Sequence, residues 1–140
     1  MRRASVAGLA LALLASCVHR PVLAETGTAG RELAIRRCET ALRSHFPNVF
    51  RIDGDGARLR TDDRVDPERV TRRTRAFVAL QPGEHGWAAE ITIVKERLDY
   101  DELNFFTPSA RWVFDGRDRT LERRIASEIE ALGEDATSRP

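Results

Sequence analysis

The chain is poor in the residues that most often do chemistry. Its 140 residues include three histidines, two cysteines, one methionine, one tyrosine and a single lysine beside 22 arginines. Two cysteines are too few for a disulfide scaffold. No histidine has a metal-ligand neighbour at HxxxH or CxxC spacing, so the compact zinc patterns are missing. No serine or cysteine sits in a nucleophile motif such as GxSxG. An excess of one charge is missing too. With 23 basic and 22 acidic residues the formal charge is +1, without the basic surplus of a nucleic-acid binder. No apolar run reaches the roughly 20 residues of a permanent membrane-spanning helix. The 32% charged and 41% hydrophobic content is that of an ordinary folded domain, neither disordered nor collagen-like. There is no internal repeat and no low-complexity run.

What is present starts at the N-terminus. Arg2 and Arg3 precede an uncharged stretch, residues 4–15, with the apolar core Val6-Ala7-Gly8-Leu9-Ala10-Leu11-Ala12-Leu13-Leu14-Ala15. Basic residues, then an apolar run, then small residues is the order of a signal peptide. The sequence Leu14-Ala15-Ser16-Cys17 resembles the lipobox of bacterial lipoproteins. That resemblance implies cleavage before Cys17 and a diacylglyceryl group on its sulfur, usually with a third acyl chain on its amine. Two or more chains anchor a protein stably, whereas one does so marginally. Residue 18 is Val, and in the sorting rule of Gram-negative lipoproteins the lack of Asp there points to the outer membrane. A competing site exists. Val22-Leu23-Ala24 resembles the pattern of ordinary signal peptidase, with cleavage before Glu25, which would leave a free periplasmic or secreted protein. The residues after the Arg pair do not follow the twin-arginine pattern. Loss of residues 1–16 takes Arg2 and Arg3 and no acid, leaving 21 basic and 22 acidic residues, a formal −1. No polybasic patch then assists membrane binding.

Residues 17–30 read as a lipidated cysteine and a flexible tether, because Pro21, Gly27 and Gly30 interrupt a segment without periodicity. Residues 31–134 form one domain, and 135–140 a polar, disordered tail. Apolar residues at 34/35, 38, 41/42 and 45/46 predict an amphipathic helix that Pro47 ends. Residues 49–52 and 57–61 predict a hairpin around Asp53-Gly54-Asp55-Gly56. Residues 61–72 are polar, with one helical turn expected near Asp66-Pro67. Residues 75–81 and 87–98 alternate in polarity on either side of Pro82-Gly83-Glu84-His85-Gly86 and predict an antiparallel hairpin with one buried face. Residues 111–114 predict a further strand. A helix follows from about 119 to 132, with the stripe Leu121, Ile125, Ile129, Leu132 and Gly133 at its end. The expected fold is α+β: an antiparallel sheet of four to five strands with an N-terminal and a C-terminal helix packed on one face.

Each candidate site has a plain structural reading beside the functional one. The Asp53 loop lacks the later EF-hand ligands, because positions 57, 58 and 64 are Ala, Arg and Arg, so it reads as a turn and not a metal site. Cys38 lies on the apolar stripe of the first helix and reads as an inert core thiol. His45 and His85 have no catalytic neighbours. Glu90 and Glu96 share a strand face, where paired carboxylates could do acid–base work, but the wet face of an edge strand explains them. No catalytic residue, metal or cofactor is expected. Phe105 and Phe106 are adjacent in a loop and cannot both face one core; with Phe77 on the outer sheet face they are the candidates for a partner-binding patch.

Gly116-Arg117-Asp118, Leu121-Glu122 and the stripe Ile125, Ile129, Leu132, preceded by Val94-Lys95-Glu96-Arg97-Leu98, resemble small uncharacterised envelope lipoproteins of planctomycete-type bacteria. The likeness covers about residues 70–132 and implies a class, since that family has no assigned activity. A looser analogy links the chain to lipopolysaccharide-assembly lipoproteins of the LptE type, also small α/β domains on a lipid tether, although their strand-then-helix start is not evident here. The expected role is that of a non-catalytic, lipid-anchored, periplasm-facing envelope protein that binds another envelope component through its open sheet face or the Phe105-Phe106 loop. The even charge balance points to no nucleic-acid partner.

Overall fold

The computed structural model describes residues 20–53, 57–100 and 110–137. Its spine is the long hairpin of β5 (Arg72–Gly83) and β6 (Gly86–Tyr100), paired without interruption from Gly83↔Gly86 to Arg72↔Arg97. The alternation read in the sequence fixes which side is buried. Ala76, Val78 and Leu80 of β5 and Ala89, Ile91 and Ile93 of β6 all turn to one side and are buried. The remaining strands flank this hairpin. β3 (Arg58–Thr61) and β4 (Arg64–Val65) pair with the two halves of β5, and β2 (Val49–Arg51) pairs outside β3. On the far side, β1 (Val22–Glu25) and β7 (Ala110–Arg117) pair with the two halves of β6. Among the described residues the result is an antiparallel sheet of seven strands.

Two helices, α1 (Arg31–Arg43) and α2 (Arg119–Thr137), pack on the buried side. Their apolar stripes supply Ala34, Ile35, Cys38, Ala41 and Leu42, and Leu121, Ile125 and Ile129. Full burial of an Ile or Leu side chain stabilises by about 1.5–3 kcal/mol, and Ile35, Leu42, Ile91, Ile93, Ile125 and Ile129 are at most 1% exposed. The α+β class, an antiparallel sheet with an N-terminal and a C-terminal helix packed on one face, therefore stands, with seven strands among the described residues where four to five are expected.

Several details differ from the sequence reading. The expected flexible tether is in part structured. Residues 22–25 form β1, and Ala24 is 1% exposed within the core. The segment after it is fastened as well. The Thr26 backbone N–H and hydroxyl both donate to the Trp87 carbonyl, the buried Arg37 guanidinium donates to the Thr26 carbonyl, and the Trp87 indole N–H donates to the Ala29 carbonyl. A four-residue strand with no alternation beyond Val-Leu-Ala carries too little pattern to be seen without its partner. Asp66-Pro67 starts no helix: the Asp66 carboxylate accepts the Glu68 backbone N–H in a turn that leads β4 into β5.

Gly133 does not end α2, which runs on to Thr137 and takes in residues expected to lie in the tail. Its value is space, because a Cβ there would stand 2.9 Å from the Thr26 carbonyl oxygen and 3.2 Å from the Gly27 Cα. Glu90 and Glu96 lie on β6, a central strand and not an edge, since β5 covers one side and β1 and β7 the other.

The Gly116-Arg117-Asp118…Leu121-Glu122 motif has a structural task. β1 pairs with β6 as far as Ile91 and β7 starts at Val94, with a register shift between Val94 and Glu96. The Ile93 peptide groups in that interval would be orphaned inside the fold. Instead the Ile93 N–H donates to Glu122 Oε1 (2.9 Å) and its carbonyl accepts the Asp118 N–H (2.9 Å). Asp118 Oδ1 also caps α2 by accepting the Leu121 N–H (3.0 Å). Glu122 is fully buried and receives Arg117 Nε at 2.8 Å and an Arg119 Nη at 3.2 Å. Gly116, with φ +96°, makes the bend that brings Arg117 round to it.

Candidate docking face

The helices cover one side of the sheet. Strand alternation assigns the other side to Leu23 of β1, Phe50 of β2 and Ile52 just after it, Arg58 and Arg60 of β3, the odd-numbered residues of β5 from Arg73 to Gln81, the even-numbered residues of β6, and Trp112 and Phe114 of β7. It is neither wholly wet nor wholly apolar. Leu23, Phe50, Ile52 and Phe114 are 48%, 42%, 48% and 67% exposed, more than isolated surface apolar residues require.

Two zones divide this face. Toward β4 and β7 lies an ionic lattice. Asp63 receives an Arg73 Nη (2.8 Å) and Arg75 Nε (2.7 Å), while Arg73 Nε donates to Glu96 Oε2 (2.6 Å). The Arg73 guanidinium also lies over the Trp112 ring, 4.2 Å from its centroid. The Arg75 guanidinium beside Asp63, with Arg73 and Arg60 adding to it, holds the Asp63 carboxyl below the usual carboxylate range. This zone is satisfied internally and has little left to offer a ligand. Toward β1 and β2 lies the second zone, a shallow hollow of about 290 Å³ lined by Ile52, Arg58, Phe77, Ala79, Glu90 and Thr92. Arg58 and Glu90 have no ion-pair partner among the described residues. Arg60 lies near the Phe50 ring, 5.9 Å from its centroid.

Of the residues singled out in the sequence, Phe77 is half-buried on the floor of this hollow. Cys17, Phe105 and Phe106 lie outside the described residues. Ala79, Glu90 and Thr92 of the lining also follow from strand alternation. The apolar residues at the two ends of the face do not, because Leu23 falls in the segment that reads as a tether and the face to which Ile52 turns depends on the β2–β3 register.

The remaining sequence candidates are structural parts. Cys38 is fully buried and unpaired by a disulfide, and burial, with Glu39 adding, pushes its thiol up to about 12. His45 Nε2 lies 2.9 and 3.0 Å from the two carboxylate oxygens of Glu128 and ties the end of α1 to α2. Asp53 Oδ1 accepts the Arg58 backbone N–H at 3.1 Å, a turn contact. Among the described residues no group of three metal-capable side chains converges.

Other concavities are less selective. One of about 430 Å³ lies between α1 and α2, lined by Leu33, Arg36, Thr40, Leu132 and Asp135, and one of about 330 Å³ lies beside Glu25, Glu130 and Glu134. Another, also about 330 Å³, has Arg64, Arg72 and Lys95 matched by Asp66, Asp115 and Asp118. No helix among the described residues is long and apolar enough to cross a membrane. Comparison with protein-family models, curated proteins and solved structures gives no match.

Proposed function

We propose that this chain is a non-catalytic envelope lipoprotein, anchored through Cys17, whose open sheet face docks another envelope component. One observation carries the reading: β1. Of the two possible cleavage sites, the one after Ala24 would remove Val22, Leu23 and Ala24, three of the four residues of β1, and with them a core side chain that is 1% exposed. It would also uncover the β6 edge at Ala89 and Ile91. Cleavage before Cys17 keeps the whole strand and leaves only residues 17–21 as a link. Five residues span at most about 18 Å, so the domain sits close to the membrane and its open face is within reach of membrane-bound partners. Val18 after the cysteine favours the outer membrane of a Gram-negative envelope. The freely secreted alternative is disfavoured by the same strand.

Intact-mass measurement of the mature N-terminus in membrane and soluble fractions tests the anchor. The expected product is a chain starting at an acylated Cys17 in the membrane fraction. An unmodified chain starting at Glu25 in the soluble fraction would overturn the reading. For the docking face, in-cell crosslinking from position 92, the cross-strand neighbour of Phe77 in the hollow, should trap a neighbour, and Phe77→Ser should lose it while the domain stays folded. A folded Phe77→Ser chain that keeps every crosslinked neighbour would remove the face from the proposal.

A further inference from the structure

The hollow and its two flanks carry one row of residues with an unusual order. Read across the sheet through the registers Arg58↔Ala79, Ala79↔Glu90 and Leu23↔Glu90, with Ile52 beside Arg58 through its N–H to the Arg58 carbonyl, the row is Ile52, Arg58, Ala79, Glu90, Leu23. In chemical terms it is apolar, cation, small, anion, apolar. It is complementary to its own reversal about Ala79. Ile52 and Leu23 at its ends are each 48% exposed. Arg58 and Glu90, two strand spacings or roughly 10 Å apart, flank Ala79 without forming an ion pair to each other or to any other described residue.

We infer that the open face is the interface of a homodimer, two sheets packed face to face about a two-fold axis that runs along β5. The inference deepens the docking-face reading and rests on it, with a second copy of this chain as the partner. Rotation about that axis exchanges left and right across the sheet and preserves position along the strands. Arg58 then meets the second copy's Glu90 on one side of the axis, and Glu90 meets Arg58 on the other. Ile52 packs on Leu23, Ala79 on Ala79, and Phe77, next on the axis, on its own copy. This is an isologous interface, self-complementary as a two-fold requires, and aligned sheets about 10 Å apart are an ordinary packing. Farther along the axis Arg75 and Arg73 approach their own copies, but both are already neutralised by Asp63 and Glu96.

The direction of β1 fits the same symmetry. β1 and β5 both run antiparallel to β6, so they are parallel to each other. An axis along β5 therefore brings both β1 N-termini out at the same end of the dimer, toward a single membrane. The patch spans about 19 Å across the sheet. Association through one such row is weak in solution and is favoured where anchoring concentrates the chains.

The test is sedimentation equilibrium of the full mature chain carrying Cys17→Ser, so that no lipid drives association, over about 5–500 µM. The expected weight-average mass rises from monomer toward dimer. Arg58→Glu and Glu90→Arg should each weaken association at least about tenfold, and the double variant should restore it to within about threefold, the signature of a pair that meets across the axis. Both positions are solvent-accessible, and circular dichroism checks that the variants fold. A chain that stays monomeric throughout, or a dimer indifferent to both swaps, overturns the inference. If the monomeric chain still crosslinks through position 92 to a different envelope protein, the docking face survives and only the second copy is refuted.

Discussion

Replacing Glu122 should be among the most damaging single changes in the molecule, although it touches neither the docking face nor the anchor. The carboxylate is completely buried and accepts three hydrogen bonds, from the Ile93 N–H and from Arg117 and Arg119. Removing one member of a buried charged cluster costs about 3–5 kcal/mol, because the partners are left desolvated and unpaired. Here the Arg117 and Arg119 side chains are 24% and 31% exposed and can rehydrate, which places Glu122→Ala at the low end, about 3 kcal/mol. Most of that arises from the Ile93 N–H, which has no solvent to turn to. Glu122→Gln keeps one oxygen to accept this N–H but loses the charge and replaces the oxygen that accepts from Arg119 with an NH2 donor, so about 1–2 kcal/mol is expected. Urea unfolding followed by tryptophan fluorescence measures both, with the slope unchanged and the midpoint lowered in the order Ala, Gln, wild type. A thermal midpoint about 10 °C lower should accompany the Ala variant. If Glu122→Ala cost less than about 1 kcal/mol, or if Gln and Ala were equal, the carboxylate would not be supplying the missing partner of β6 and the account of the motif would fail.

Three further outcomes are expected. Gly133→Ala should destabilise by about 1–3 kcal/mol despite the better helix propensity of Ala, because the new Cβ meets the Thr26 carbonyl; a higher urea midpoint would contradict the close approach. Cys38 should resist iodoacetamide in the native state at pH 8 and react once the chain is unfolded, since its thiol is buried and titrates at about 12; mass spectrometry showing rapid native labelling would mean the core opens there. Asp63 has a lowered pKa in the folded state, so its contribution to stability is complete above its unfolded pKa of about 3.9 and disappears as the pH falls through the lower folded value. Asp63→Asn should therefore lower stability at pH 7 and flatten the stability profile below pH 4, and an unchanged acid limb would refute the assignment.

The parts of the fold legible in the sequence are those with long, repeated patterns. Alternation over residues 75–81 and 87–98 identifies the central parts of β5 and β6 and their buried face, and stripes at helical spacing identify α1 and α2. Local pattern fails where a segment is short and its conformation depends on a distant partner. β1 exists because Ala88 to Ile91 present an edge to it, and β4 because Arg73 and Thr74 do. Gly133 resembles a helix stop until Thr26, more than a hundred residues earlier, proves to lie against it. The candidate face was half legible. Phe77 follows from alternation within its own strand, whereas the Ile52–Leu23 row requires four strand registers that no single segment encodes.

β1 also decides how the domain would respond to mechanical load. A pull arriving from upstream of Val22 along the strand acts parallel to β1 and perpendicular to the hydrogen bonds that join Val22–Glu25 to β6. Such a load shears all of these bonds together instead of unzipping them one at a time. Behind them the next points of resistance are the Thr26–Trp87 and Thr26–Arg37 links, which hold the chain before it enters α1. Tension from that end would be borne by the central hairpin as a whole, while a pull from the α2 end would first peel a helix terminus away turn by turn.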